Sequence, residues 1–426
     1  MKNNRFGTDG IRGIYGETLT EETAYRLGAV LGREGSLLIG RDNRPSSPSL
    51  ARALACGVAS VGGKARSVGI VTTPALYYLL TCSDAHNAMM VTASHNPPEY
   101  NGLKVLTRKG KPNENRRKEI EREMATIIPR IDPTYRLNES GDTSIYRHYI
   151  RERIGSLAGI RVVVDYAGGA GSVFKGLYRE MGAEEIALND RENGDEINVN
   201  CGALHPEGCA KEVVRKKADI GVAIDGDGDR IVVVTRSGRI LDGDHVTYLL
   251  ARRMKAHGRL HRNLVAMTVM TNGGILKSLT AHGIDVISCA VGDTALAETM
   301  RDEEIDLGGE QSGHLILREF LPTGDGLLVG AYLMRSILED GDLDDTPPPL
   351  VYPQILLNVP VPDKSIADAP ALRQLASEIK SSLREGRVLL RASGTEDLIR
   401  IMVEHEDREI AESAALRLKA EILRQI

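Results

Sequence analysis

Three aspartates, Asp225, Asp227 and Asp229, alternate with two glycines in AIDGDGDRIVVV (223–234), at the end of an aliphatic run. Gly226 and Gly228 allow a tight backbone that turns all three carboxylates toward one point, and three converging like charges require a cation. A calcium-binding EF-hand also begins D-x-D-x-D, but it needs Gly at its sixth position and Glu at its twelfth, where this chain has Arg230 and Arg236. All-oxygen ligation with room for a phosphate oxygen suits a hard divalent ion, Mg2+ above all. The plain alternative is a solvated Asp/Gly turn.

VTASHNPPEYNG (91–102) sets Ser94 beside His95 and Asn96 and stops the run with Pro97 and Pro98. As a hydrolase nucleophile Ser94 lacks the G-x-S-x-G setting, and an adjacent His is poorly placed as its base. As a phosphoryl carrier it needs a metal and cationic neighbours, the first of which the aspartate loop could supply. A capped turn without chemistry is the third reading.

RASGTEDLIR (391–400) gathers hydroxyl and backbone donors at Ser393, Gly394 and Thr395 between the guanidinium forks of Arg391 and Arg400, a combination suited to phosphate. It is neither a Walker loop nor a dinucleotide fingerprint, and a hairpin with flanking salt bridges is its bland alternative. In GGEQSGHLIL (308–317), Glu310, Ser312 and His314 alternate; along an extended segment they would share one face and read sugar hydroxyls, whereas a polar edge turn would do nothing.

These motifs need elements to hold them. SLLIGRDNRPSSPSLARALACGVASVGGKARSVG, IRVVVDYAGGAGSVFKGLYREMGAEEIALN and LVAMTVMTNGGILKSLTAHGIDVISCAVGD each read as strand, polar or glycine loop, helix, glycine break and strand. That is the βαβ pattern of a mostly parallel sheet, repeated at a domain-sized spacing. The acidic, proline-rich EDGDLDDTPPPLVYP (339–353) cannot sustain a helix and serves as a linker. The expected fold is three similar α/β domains with mixed, mostly parallel sheets (1–148, 149–243, 244–345) and a smaller α+β domain (346–426).

With 426 residues and about 150 residues per domain, several cores fit. Trp is absent and Phe occurs three times, so those cores must be aliphatic. A net charge of -5 with no long Lys/Arg run argues against a nucleic-acid or membrane surface. The N-terminus lacks the apolar run of a signal peptide and five cysteines show no C-x-x-C spacing, which together point to a cytoplasmic protein with free thiols.

In chain order, FGTDGIRG (6–13), IGRDNRPSS, TASHNPPEYNGLK, DGDGDR, GGEQSGH, TGDGL and RASGTEDLIRIMVE resemble the α-D-phosphohexomutase superfamily over essentially the whole chain. The resemblance implies four domains around a central cleft and a phosphoryl group carried on Ser94. It implies Mg2+ held by Asp225, Asp227, Asp229 and the phosphoserine, with a hexosamine or hexose 1,6-bisphosphate as activator. Arg391, Ser393, Gly394, Thr395 and Arg400 would hold the phosphate that is not reacting, and Glu310 and Ser312 the sugar hydroxyls. A phosphoserine dianion, three Asp and Mg2+ sum to about -3, so cations must surround them. Arg12, Lys104 and the substrate-binding Arg230 match family positions there, with Lys104 and His314 as candidates for proton transfer.

Gln311, with FGTDGIRG, is similar to the phosphoglucosamine mutase branch, which implies exchange of glucosamine 6-phosphate and glucosamine 1-phosphate. Phosphomannomutase or phosphoglucomutase activity by the same mechanism is the alternative, followed by a non-catalytic sugar-phosphate binder. A monomer or homodimer is expected. Ala392 and Asp397 replace prolines common in the family's phosphate loop, and Thr294 stands where many relatives carry a basic residue.

Overall fold

Strands covered by helices on both sides read as unbroken aliphatic runs. NAMMV, IGVAI, IVVVT and LVAMT are such runs, and every residue in them is buried. The computed structural model describes residues 6–7, 9–191, 193–384, 386–393 and 397–426, so Gly394 and Thr395 lie outside the described residues. The chain divides into two compact units, Met1–Val269 with Val286–Pro347, and Met270–Asp285 with Pro348–Ile426.

The first unit holds three sheets. Strands β1 (Ile11–Ile14), β2 (Leu37–Arg41), β3 (Ala65–Ile70), β4 (Asn87–Val91) and β5 (Tyr100–Thr107) lie in the order β1-β5-β4-β2-β3. Here β2 runs parallel to β3 and β4, while β5 is antiparallel to β4 and β1. Strands β6 (Arg161–Asp165), β7 (Glu184–Leu188), β8 (Ile220–Ile224), β9 (Ile231–Thr235) and β10 (Ile240–Leu241) repeat the scheme as β10-β9-β8-β6-β7. Strands β11 (Leu264–Thr268), β12 (Asp285–Cys289), β13 (Leu307–Gly309) and β14 (Leu315–Leu317) form the third sheet, β12-β11-β13-β14.

Apart from the outer β1 and β10, the order within each sheet is second strand, first, third, fourth. The sheets are mixed, as expected, with parallel crossovers followed by one antiparallel hairpin: β4 with β5, β8 with β9, β13 with β14. The turns of those three hairpins are residues 92–99, 225–230 and 310–314. The serine, aspartate and Glu310–His314 motifs therefore occupy the same place in three copies of one topology, at the carboxyl ends of parallel strands where open α/β sheets bind ligands.

One expectation fails here. Residues 310–314 are a hairpin turn, not an extended segment, because Gly313 adopts φ 92 and its N–H returns to the Glu310 carbonyl (2.9 Å). Glu310, Ser312 and His314 therefore do not share a strand face.

The second unit contains β15 (Gln354–Pro360), β16 (Arg387–Ala392) and β17 (Leu398–Glu404), an antiparallel sheet in the order β15-β17-β16, with helices Pro370–Ser382 and Arg408–Gln425. The segment Met270–Asp285 groups with it because fully buried Glu404 accepts from Gly273 N (2.9 Å), Arg387 Nε (2.9 Å) and Gln354 Nε2 (2.6 Å). Among the described residues no helix is long and apolar enough to cross a membrane.

Candidate active site

Buried charge needs a partner, and the first unit fully buries the long cationic side chains of Arg44 and Lys104. Lys104, on β5, sends its ammonium into the aspartate turn, donating to Asp227 Oδ2 (2.6 Å) and Asp229 Oδ2 (2.9 Å). Asp9 lies 3.9 Å away, and its carboxylate also pairs with Arg12 and with Lys111 (2.5 Å). Burial works against the Lys104 charge, but Asp227, Asp229 and Asp9 outweigh it and hold the ammonium above the ordinary lysine range. Burial likewise opposes ionisation of Asp229, yet Lys104, His314 and Arg230 keep it below the usual carboxylate range.

Asp225 differs. Burial and the adjacent Asp227 and Asp229 charges push it well above the ordinary value. It accepts the Ser94 hydroxyl on Oδ2 (2.6 Å) and the Arg230 N–H on Oδ1 (3.1 Å). Ser94 thus meets the aspartate turn directly, although the two lie in different sheets. His95 Nδ1 is 3.3 Å from Ser94 Oγ, but burial and the Arg230 and Arg12 charges push that imidazole down to about 3, a poor base for a hydrolase nucleophile.

The donor set fits a hard cation. Carboxylate oxygens of Asp225, Asp227 and Asp229 lie within 4.8 Å of one another, all three residues are buried, and Asp227 Oδ1 and Asp229 Oδ1 have no hydrogen-bond partner. Lys104 occupies the opposite oxygen of each, which leaves those two oxygens for a metal.

His314 comes close to this centre. One ring nitrogen lies within 4.8 Å of oxygens of Asp229 and Asp293, and Nε2 accepts from Gly324 N (3.1 Å). Glu310 is buried and accepts from Gly292 N (2.7 Å) and from the exposed Ser312 hydroxyl (3.3 Å). Its charge adds to the negative field around Arg230. The Thr294 N–H donates to Asp293 Oδ1 (2.7 Å), the carboxylate that also pairs with Lys111.

In the second unit, Arg391 and Arg400 stand directly opposite each other across β16 and β17. Desolvation and the Arg400 charge lower the Arg391 guanidinium from its ordinary range. Ser393 is buried at the hairpin end, with its N–H on Leu398 O (2.9 Å). Like charges paired across an antiparallel ladder are destabilising unless an anion joins them. Asp397 makes an ion pair with Lys364 (3.6 Å).

Sequence reasoning did not single out Asp9, Lys111, Thr73, Asp42, Arg44 or Asn198. Thr73 donates to Asp227 Oδ2 (2.6 Å), and Arg44 and Asn198 hold carbonyls of the serine turn. The sequence alternates charge in GRDNR at the end of β2, a pattern that a solvated loop shows equally well.

Four family models cover the chain: phosphoglucomutase/phosphomannomutase alpha/beta/alpha domains I (residues 3–130), II (145–238) and III (242–346), and the C-terminal domain (356–421). Phosphoglucosamine mutases from Limosilactobacillus reuteri and Corynebacterium glutamicum are 36% and 39% identical to it, covering 98% and 97% of this chain and 98% of each relative. Among solved structures, a phosphoglucomutase/phosphomannomutase family protein from Burkholderia thailandensis superposes with a TM-score of 0.79 at 23% identity, covering 99% of this chain and 96% of that one. An Aspergillus fumigatus N-acetylphosphoglucosamine mutase in complex with GlcNAc-6P and magnesium gives 0.69 at 17%, covering 98% and 95%.

Proposed function

Because the chain belongs to the phosphoglucomutase/phosphomannomutase family along its whole length, we propose that it is a phosphoglucosamine mutase that exchanges glucosamine 6-phosphate and glucosamine 1-phosphate. The observation that carries the mechanism is the Ser94 hydroxyl 2.6 Å from Asp225, within a buried turn of three carboxylates. Ser94 carries the phosphoryl group, gives it to one end of the sugar phosphate, and takes it back from the other end of the bisphosphate. Asp225, Asp227 and Asp229 are the ligands for Mg2+, which when bound there withdraws charge from the phosphoryl oxygens.

The protein's own residues supply the rest. Lys104, kept protonated by its two aspartates, is a fixed cation rather than a proton acceptor. Arg12 and Arg230 add positive charge beside it. His314, close to Asp229 and Asp293, is the candidate for proton transfer with a sugar hydroxyl. Glu310 and Ser312 read hydroxyls from a turn, with Glu310 pinned by Gly292 N. Arg391, Ser393, Gly394, Thr395 and Arg400 take the phosphate that is not reacting, and the facing guanidiniums are the reason an anion is favoured there. A hexosamine or hexose 1,6-bisphosphate loads Ser94, in a cytoplasmic monomer or homodimer.

The test is phosphorus NMR of the protein with Mg2+ and a trace of hexose 1,6-bisphosphate, given glucosamine 6-phosphate, glucose 1-phosphate or mannose 1-phosphate separately. Rapid conversion of the amino sugar alone supports the assignment. Preference for a neutral hexose moves it to phosphoglucomutase or phosphomannomutase, and phosphate release faster than isomerisation moves it to a phosphatase.

A further inference from the structure

Ser94 adopts φ 54, the left-handed region that residues with a side chain seldom occupy. Something must hold it there, and both peptide groups that flank it are held. Its N–H donates to Thr92 Oγ1 (2.9 Å), and the Thr92 hydroxyl donates to Asp42 Oδ2 (2.7 Å). Its carbonyl accepts from Arg44 Nη2 (2.9 Å) and Asn198 Nδ2 (2.8 Å). The same two donors reach the Asn96 carbonyl, at 2.7 and 3.0 Å.

Arg44 is fully buried and uses all three guanidinium nitrogens. Nε donates to Asp42 Oδ2 (2.8 Å), and Nη1 donates to the carbonyls of Pro97 and Tyr100, the latter at 2.9 Å. Asp42, also fully buried, is steadied by the Ser47 hydroxyl (2.6 Å). A planar fork with five N–H donors can satisfy diverging carbonyls in this way, and a lysine ammonium cannot. Asn198 enters from the repeat that carries the aspartate turn, its own N–H anchored on Ala167 O (2.9 Å). Gly226, inside that turn, sits so close that an added Cβ would lie 2.6 Å from Ser94 O and 2.9 Å from Asn198 Nδ2.

We propose that Arg44 and Asn198 are positioning residues for phosphoryl transfer, a reading that rests on the proposed mutase activity. Neither donates to the Ser94 hydroxyl. They fix the Ser94 peptide so that Oγ faces Asp225, and Asn198 ties that peptide to the segment bearing the three carboxylates. Loss of either clamp lets the peptide rotate toward an ordinary backbone conformation and carries Oγ away, while the groups that bind sugar and phosphate stay in place.

The experiment compares wild type, Asn198→Ala and Arg44→Lys, each loaded with Mg2+. Quenched-flow mass analysis follows phosphorylation of Ser94 by glucose 1,6-bisphosphate, and steady-state turnover of glucosamine 6-phosphate gives kcat and KM. Misplacement of a reacting atom by about 1 Å can cost about 100-fold. Asn198→Ala is therefore expected to lower Ser94 phosphorylation and kcat by about that factor, with KM within about threefold and the fold retained. Arg44→Lys is expected to lose more; if it does not fold, Asn198→Ala decides alone. A folded Asn198→Ala whose kcat stays within about threefold of wild type, or whose loss lies only in KM, overturns the clamp. Wild type that neither takes up phosphate nor turns over overturns the mutase reading itself, and the clamp with it.

Discussion

The two regions that would meet the phosphates handle charge in opposite ways. In the serine and aspartate centre, Lys104 is already paired with Asp227 and Asp229, Asp9 with Arg12 and Lys111, and Arg44 with Asp42. In the C-terminal hairpin, Arg391 and Arg400 face each other with like charge. The reacting centre is pre-organised by internal ion pairs, so its groups need not rearrange when charge develops. The hairpin instead sets two guanidinium forks across one ladder, a geometry that suits a phosphate. The first arrangement suits chemistry that must be repeated at one point, and the second suits a ligand that arrives, turns over and leaves.

Substitutions can break this contrast, starting with the largest effect. Ser94→Ala removes the carrier, and sustained turnover should fall by at least about 10³-fold in a coupled or NMR assay. Turnover at the wild-type rate would remove Ser94 from the mechanism. Lys104→Met strips the cation from two buried carboxylates, and breaking a buried pair from one side costs about 3–5 kcal/mol. Urea unfolding without metal should show that loss, and Mg2+ should restore part of it by linkage.

Arg391→Met should behave in the other way. Removing one of two facing like charges should leave urea stability within about 0.5 kcal/mol, or slightly raised. Because charge-assisted bonds to phosphate are worth about 1.5–3 kcal/mol, kcat/KM should fall by about 10- to 100-fold. A large stability loss would show that the hairpin is internally neutralised after all.

The smallest effect concerns Asp325, which caps helix Gly326–Asp340 through Leu328 N (3.0 Å) and is pushed by burial up to about 6. Its pKa is raised on folding, so its contribution to stability is complete below the unfolded value near 3.8 and is lost as pH rises toward and through about 6. Asp325→Asn keeps a capping oxygen, so it should match wild type near pH 3.5 and exceed it by about 1–2 kcal/mol at pH 7.5. Equal pH profiles for the two proteins would show that Asp325 carries no pH-dependent cost.

Several of these groups were legible in the sequence because their chemistry is local. Asp225, Asp227 and Asp229 fall within one turn, so spacing alone brings them together. The hairpin arginines are legible because they flank the Ser-Gly-Thr donors within ten residues. For Glu310, Ser312 and His314 the sequence leaves a strand face and a polar turn both open, since alternation cannot distinguish a strand from a hairpin tip whose reversal rests on Gly313. Lys104 and Arg44 were different again. In the sequence each is a charged residue of a kind normally solvated, and nothing local says that it is buried.

The chain by itself determined the repeated strand and helix pattern, the acidic turn and the presence of a presented serine, because hydrophobic period and glycine placement act over a few residues. Only the tertiary structure decided that three hairpin tips occupy equivalent places in one topology, that Ser94 points at Asp225, and that Arg44 and Lys104 are stripped of water. Those outcomes depend on ion pairs and hydrogen bonds between segments far apart in the chain, and a buried charge is tolerated only once the whole fold has brought its partner to it.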